Sequence, residues 1–483
     1  MNRRMVFYTV GQILLLEAVL LVLPLAVSLV YAESCFTSFI ITILITAASG
    51  FLLKLIFKPK DHVIFAKEGF LIVALAWLMM SLFGALPFVL SREIPSFINA
   101  FFETVSGLTT TGASIIPDLS VMSKGILFWR SFTHWIGGMG IIVLIMAIIP
   151  TTSGRSIHVM RAEMPGPIVG KLVPRIRDTA KILYLIYIVM TAVEIVLLKL
   201  GDMSLFDSVV HSFGTAGTGG FGIRGDSLGS YSAYSQWVIT IFMLIFGVNF
   251  NLYYLLLVRR ARTVFRSEEL RAYAAVVVAA VVMIAINIRG IYETFGETIR
   301  HAAFQVSSVI TTTGYATVNF DLWPGFSKAM LFILMFIGGC AGSTAGGLKI
   351  SRVFLLVRMV RNNIRKILHP RAVASVSFEG KILDERTQKS VSNYLSIYVL
   401  SLFAVFLIIS LDPFDLETNL TAAVSCFNNV GPGLAGVGPA MNYNGYSVLS
   451  KIVLSFSMLL GRLEIYPLII AFIPASWLKK NNI

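Results

Sequence analysis

The sequence predicts an all-α integral membrane protein with ten transmembrane helices, the last eight grouped as four similar helix–short helix–helix repeats. Three observations predict it. Of 483 residues, 56% are hydrophobic and only 13% are charged, too few charges to coat a soluble fold of this size. Apolar runs of bilayer-spanning length recur along the chain. Between the later runs lie shorter, semi-polar segments, each ending in a glycine-bearing cluster.

The ten runs fall near 5–31, 36–57, 66–90, 128–150, 180–200, 236–257, 272–291, 326–360, 392–411 and 448–477. The first imitates a signal peptide, with Arg3 and Arg4 ahead of it and Val30-Tyr31-Ala32 behind. From about Met5 to Tyr31 it is too long for a signal core of about 7–15 residues, so a retained first helix is expected. The short segments 97–111, 206–219, 299–313 and 417–430 cannot cross a bilayer and read as re-entrant helices followed by loops. The expected division is 1–60 for two extra N-terminal helices, then repeats at 61–160, 161–260, 261–370 and 371–483.

Charge sets the expected orientation. With both termini cytoplasmic, the inner segments hold 28 of the 39 Lys and Arg and the outer ones 7. The positive-inside rule favours this topology over its inverse, and explains the net charge of +14 without nucleic acid. All four re-entrant segments then face outward, where 12 acidic residues against 7 basic ones modestly concentrate cations.

Aligned on their glycines, the repeats read ETVSGLTTTG (103–112), HSFGTAGTGG (211–220), QVSSVITTTG (305–314) and AAVSCFNNVG (422–431). Six residues before each glycine stand Ser106, Gly214, Ser308 and Ser425, all small. The repeats are parallel, as expected of units arranged about an axis along the membrane normal. A dehydrated cation needs oxygens in place of its water, and rings of backbone carbonyls supply them, one loop per quarter. Glycine reaches the backbone angles this requires at little steric cost. Helix C-termini aimed at the centre favour a cation. The candidate filter residues are Thr110, Thr111 and Gly112; Gly219 and Gly220; Thr312, Thr313 and Gly314; and Asn429, Val430 and Gly431. The bland alternative, glycines serving only close helix packing, fits four matched clusters poorly.

In the eighth run, Gly338, Gly339, Gly342, Ser343, Thr344, Gly346 and Gly347 make helix propensity poor and predict a loop at membrane depth. Arg462 lies deep in the last run with Glu464 two residues on, a spacing at which helical side chains do not face each other. A buried arginine there must face protein or a water-filled cavity, and with the 338–347 loop it is expected to form a barrier. The basic stretches 258–272 and 349–390 read either as topology and lipid contact or as a docking surface for a partner.

Other chemistries find little support. Cys35, Cys340 and Cys426 have no CxxC or metal spacing, and the chain contains no HExxH or GxSxG, so no enzyme is predicted. A secondary transporter coupled to a proton or sodium gradient stays open as an alternative. Glu194 and Glu464 are the acidic residues well inside the later helices.

The motifs TTTGAS (109–114), GTGGFG (217–222), TTTGYA (311–316) and NNVGPGL (428–434) together resemble the Trk/Ktr/HKT superfamily of cation transporters. RAEMPGP (161–167), GGCAGSTAGGLKI (338–350) and GRLEIYP (461–467) strengthen the likeness, which covers essentially the whole chain. Length and the two extra N-terminal helices favour the TrkH branch over the shorter KtrB branch. The resemblance implies potassium as the ion, bacterial inner-membrane location, a homodimer, and a cytosolic TrkA-like regulatory ring that binds the nucleotide. It also implies that the 338–347 loop obstructs the pore below the filter and that Arg462 projects there. A glycine in every loop resembles the potassium-selective members. The second and fourth loops depart from TTTG, which makes the ring only pseudo-fourfold.

Overall fold

The computed structural model describes residues 2–60, 65–140, 176–370 and 375–474. RAEMPGP and the far end of the 128–150 run lie outside them. The described chain is helical apart from one two-stranded hairpin, Ser377–Phe378 with Lys381–Ile382. Among the described residues, six helices are long and apolar enough to cross a membrane: Arg3–Val30, Phe36–Ile56, Lys67–Leu90, Asp178–Lys199, Glu268–Asn287 and Glu385–Ile409. Their outer faces expose rows of apolar side chains such as Leu44, Leu52, Leu55, Val193, Val196, Leu400 and Leu407. Only a hydrocarbon solvent makes such a surface stable.

The first two of these helices cross where Gly11 meets Gly50. A Cβ on either glycine would come within 2.8 Å of the other's carbonyl oxygen, so the backbones touch directly.

The remaining four long helices each open one repeat. Each is followed by a short pore helix: Phe97–Leu108, Leu205–Gly217, Phe295–Ile310 and Leu416–Asn428. Three of the four have a side-chain cap at their start. Ser204 accepts from the Asp207 N–H, Thr294 from that of Glu297, and Asp415 from that of Thr418. Their buried C-terminal turns lead straight into the glycine loops.

The second helices of the second and fourth repeats correct the expected pattern of unbroken spans at 236–257 and 448–477. Ala233–Phe246 bends by 92° into Phe250–Leu257. Gly325–Ile337 gives way to a loop and then to Ile350–Leu368. Val448–Arg462 breaks at Glu464 and Ile465, both at positive φ, before Tyr466–Phe472. Lys124–Gly138 stops at Gly138. The freed backbone groups find partners: the Gly247 carbonyl accepts from the Cys340 N–H at 2.9 Å, and the Asn249 side chain caps Asn251 at 3.0 Å. A helix can break at membrane depth only with such replacements. Of these breaks, composition had pointed to the glycine-rich one alone.

The outer ends of three repeats share a brace that the sequence reading missed. An acid ahead of the pore helix binds the serine that starts the second helix. Glu93 accepts from Ser123 Oγ at 2.6 Å, Asp202 from Ser232 Oγ at 2.6 Å, and Asp412 from the Ser447 N–H at 2.9 Å. The recurring acid-to-serine spacing of about one repeat arm was the available signal.

Candidate functional site

Each glycine loop leaves its pore helix with the same two departures from right-handed backbone. Thr110, Thr218, Thr312 and Asn429 sit at φ of 56°, 57°, 56° and 57°. Two residues later Gly112, Gly220, Gly314 and Gly431 sit at 81°, 72°, 85° and 102°. The intervening N–H is tied back to the small residue six before the glycine: Thr111 to the Ser106 carbonyl, Gly219 to Gly214, Thr313 to Ser308 and Val430 to Ser425, all at 2.8–2.9 Å. Alternating handedness turns successive carbonyls toward the same side of an open loop, whereas an extended strand alternates them and a helix commits them to its own hydrogen bonds. Thr218 belongs to this set although the sequence reading began the second loop at Gly219.

The four loops close into a ring in chain order. A Cβ on Gly112 would strike the Gly219 carbonyl oxygen, one on Gly220 that of Thr313, one on Gly314 that of Val430, and one on Gly431 that of Thr111, at 2.6 Å. Each glycine thus packs on the carbonyl that precedes the next unit's glycine, and the fourth unit returns to the first. All four glycines line one cavity of about 160 Å³ at the mouth, together with Asp118, Arg130 and Tyr443. The remaining filter candidates, Thr110, Thr111, Gly219, Thr312, Thr313, Asn429 and Val430, are buried.

Behind the first loop lies an ion pair. Glu103 accepts from Arg130 Nε at 2.6 Å, Ser114 Oγ at 3.0 Å and the Ile115 N–H at 2.9 Å. The Arg130 guanidinium also donates to the Gly222 carbonyl and stacks 3.5 Å from the Phe221 ring. Both side chains are almost wholly buried. Removing one partner strands a buried charge, at a cost of about 3–5 kcal/mol. Arg130→Leu is therefore expected to lower the melting temperature in detergent by several degrees. The Glu103→Leu/Arg130→Leu double variant should lose less than the sum of the two singles.

Beneath the ring sits the glycine-rich loop of 338–349. Gly338, Gly342 and Gly347 adopt φ of 71°, 76° and 72°. Gly338 and Gly347 form a neck, where a Cβ on Gly347 would lie 2.9 Å from Gly338 Cα. From the neck inward the loop is tied to its own repeat and to the second and fourth repeats. Its Gly346 N–H donates to Thr312 Oγ1 at 2.6 Å and its Gly347 N–H to the Asn428 carbonyl at 3.0 Å. Thr344 Oγ1 donates to the Phe246 carbonyl at 3.2 Å. The Ala341 N–H donates to Glu269 Oε1 at 2.7 Å. Within the loop Ser343 Oγ donates to the Cys340 carbonyl, Lys349 Nζ to that of Ala345, and the Ile350 N–H to that of Gly339.

Arg462, the last residue of its helix, joins the same assembly. Its Nη1 donates to Thr110 Oγ1 at 3.1 Å and to the Thr344 carbonyl at 2.8 Å. Its Nη2 donates to the carbonyls of Gly137 at 2.6 Å and Gly138 at 2.8 Å. The planar guanidinium fork thus spans the C-terminal end of the Lys124–Gly138 helix, the first loop and the intramembrane loop. Glu464 takes a different partner, Arg352, at 2.8 and 2.5 Å, and the break in the chain turns it away from Arg462. A second cavity, about 50 Å³, lies here, lined by residues of all four repeats: Gly138, Phe250, Gly346 and Arg462 among them.

This ring and underlying loop can be set beside known proteins. The TrkH family model, described as a cation transport protein, matches residues 33–479. The chain belongs to the TrkH family. It is 37% identical to the Trk system potassium uptake protein TrkH of Salmonella typhimurium over 99% of this chain and 100% of that one. It is 34% identical to the protein of that name from Halomonas elongata, with the same coverage. The crystal structure of the potassium transporter TrkH from Vibrio parahaemolyticus superposes with a TM-score of 0.88 at 33% identity, covering 99% of this chain and all of that one. Membership in the family bears out the fold class expected from the apolar runs.

Proposed function

We propose that this chain takes potassium ions into a bacterial cell across the inner membrane, with both termini cytoplasmic. The ion passes through a ring of backbone carbonyls from four loops, one each from repeats spanning 61–160, 161–260, 261–370 and 371–483. The observation that carries the reading is the closed circuit of glycine-on-carbonyl contacts. It supplies oxygens from four sides at one level, as a dehydrated cation requires. The names of the relatives supply the ion.

The gate in this reading is the 338–347 loop with Arg462. The loop is seated on Thr312 and Asn428, directly under the ring, and the arginine holds both loop and filter from below. A positive charge and a backbone plug in the path oppose a cation. The helix that follows, Ile350–Leu368, carries Arg358, Arg361, Arg365 and Lys366. On its exposed side lies a concave surface of about 510 Å³ lined by Arg358, Arg361, Arg365 and His369. We assign this basic region to docking of a cytosolic, TrkA-like ring that binds the regulatory nucleotide, and the working unit to a homodimer.

The test is ion flux into liposomes holding the purified chain alone. Potassium and rubidium should enter well ahead of sodium. Equal entry of all three ions would overturn the filter reading.

A further inference from the structure

We propose that His134 is a specificity-determining residue, bracing the second filter loop where that loop lacks the side chains that brace the others. The inference rests on the filter reading above. In the first and third loops the residues three and one before the glycine are threonines. Their hydroxyls hydrogen-bond behind the backbone, Thr109 to Thr111 at 2.8 Å and Thr311 to Thr313 at 2.7 Å. In the fourth loop the brace is Asn428, which accepts from Tyr398 OH at 2.7 Å and donates to the Val424 carbonyl at 2.9 Å. In the second loop the matching residues are Gly217 and Gly219, which have no side chains.

The vacant volume holds the imidazole of His134, from the helix Lys124–Gly138 of the first repeat. A Cβ on Gly219 would run into that ring. The ring is fully buried and lies 4.2 Å, centroid to centroid, from Phe221. Its Nε2 is 3.2 Å from the Phe221 backbone nitrogen, which can only donate, so Nε2 accepts. The proton is then on Nδ1, which donates to the Gly107 carbonyl at 2.7 Å. One neutral histidine therefore ties the last turn of the first pore helix to the strand just past Gly220.

The ring that makes those two bonds lies against Gly219, on whose carbonyl Gly112 packs. His134 thereby sets the spacing between the first and second quarters of the ring. It also accounts for the departure of the second loop from TTTG: Gly219 is a glycine because the brace comes from elsewhere.

The alternative is a histidine that merely fills space, and the experiment separates the two. Rubidium and sodium fluxes are measured in the same liposomes for the full-length wild type, His134→Gln, His134→Leu, Gly219→Ala and the His134→Ala/Gly219→Ala pair. Folded protein is normalised by size-exclusion chromatography. A glutamine can donate to Gly107 and accept from Phe221, so it should keep the rubidium-to-sodium ratio within about threefold. Leucine fills the volume without either bond and should lower the ratio at least tenfold. Gly219→Ala should lose selectivity alone and regain part of it when the ring is removed, a coupling that independent sites do not show. Equal ratios for the leucine variant and wild type would overturn the proposal, as would equal losses in the leucine and glutamine variants. Gly314→Ser is run as the control. If it and the wild type both fail to discriminate, the filter reading falls; if they differ while the His134 variants match wild type, only this inference does.

Discussion

Gly314→Ser is expected to bring the potassium-to-sodium flux ratio in liposomes close to one. The residue sits at φ 85°, where a side chain costs about 1–3 kcal/mol of backbone strain. The new Cβ would also strike the Val430 carbonyl oxygen and lie 2.9 Å from Pro432 Cδ. Neither neighbour is the free end of a flexible side chain. Relief must come from moving the third or fourth loop, and both carry carbonyls of the ring. A filter discriminates between cations by the number and placement of its oxygens, so displacement of one quarter removes the discrimination first. Total flux should change less than the ratio. A variant that remains folded and as selective as wild type would mean that the glycine serves packing alone.

Arg462→Ala is expected to raise potassium flux through the chain by about thirtyfold. A unit charge about 8 Å from a permeating ion contributes about 2 kcal/mol of repulsion at an effective dielectric of about 20. Each 1.4 kcal/mol or so of barrier is a factor of about ten in rate. The substitution also frees the Thr344 carbonyl and Thr110 Oγ1 from the group that joins them, loosening the loop beneath the ring. Arg462→Lys should fall between, because an ammonium keeps the charge but cannot fork across four acceptors. Unchanged flux in both variants, at equal protein per liposome, would remove Arg462 from the barrier and leave the loop to account for it. The ion ratio should hold in both variants, since the ring itself is intact.

Much of the architecture follows from local requirements that a sequence displays. In a bilayer every backbone group must find a partner within its own segment, so spanning helices appear as long apolar runs and pore helices as short ones. The observed pore helices at 97–108, 205–217, 295–310 and 416–428 begin and end within a few residues of the semi-polar segments. The four glycines were equally visible, because a left-handed backbone position has few other occupants.

The tertiary structure decided which atoms face one another. That Gly431 packs on Thr111 and that Arg462 reaches Thr110, 352 positions away in the chain, follows from closing four units into a ring. No periodicity or spacing carries that closure. The break near Gly247 was hidden for a related reason: its freed carbonyl and the Phe250 amide pair with the third repeat, so the local sequence needed no glycine-rich run to mark it, while at Glu464 the chain closes a local turn from the Ile465 N–H to the Leu460 carbonyl without a glycine at either positive-φ position. The same holds for His134, Glu269 and Arg352, whose partners lie on other elements. By itself the sequence determined which segments are apolar runs, which are too short to span, and where the four loop glycines stand, because those depend on each segment's own length and side chains. Ring order, braces and plug came from packing, because they depend on surfaces that exist only once the segments have met.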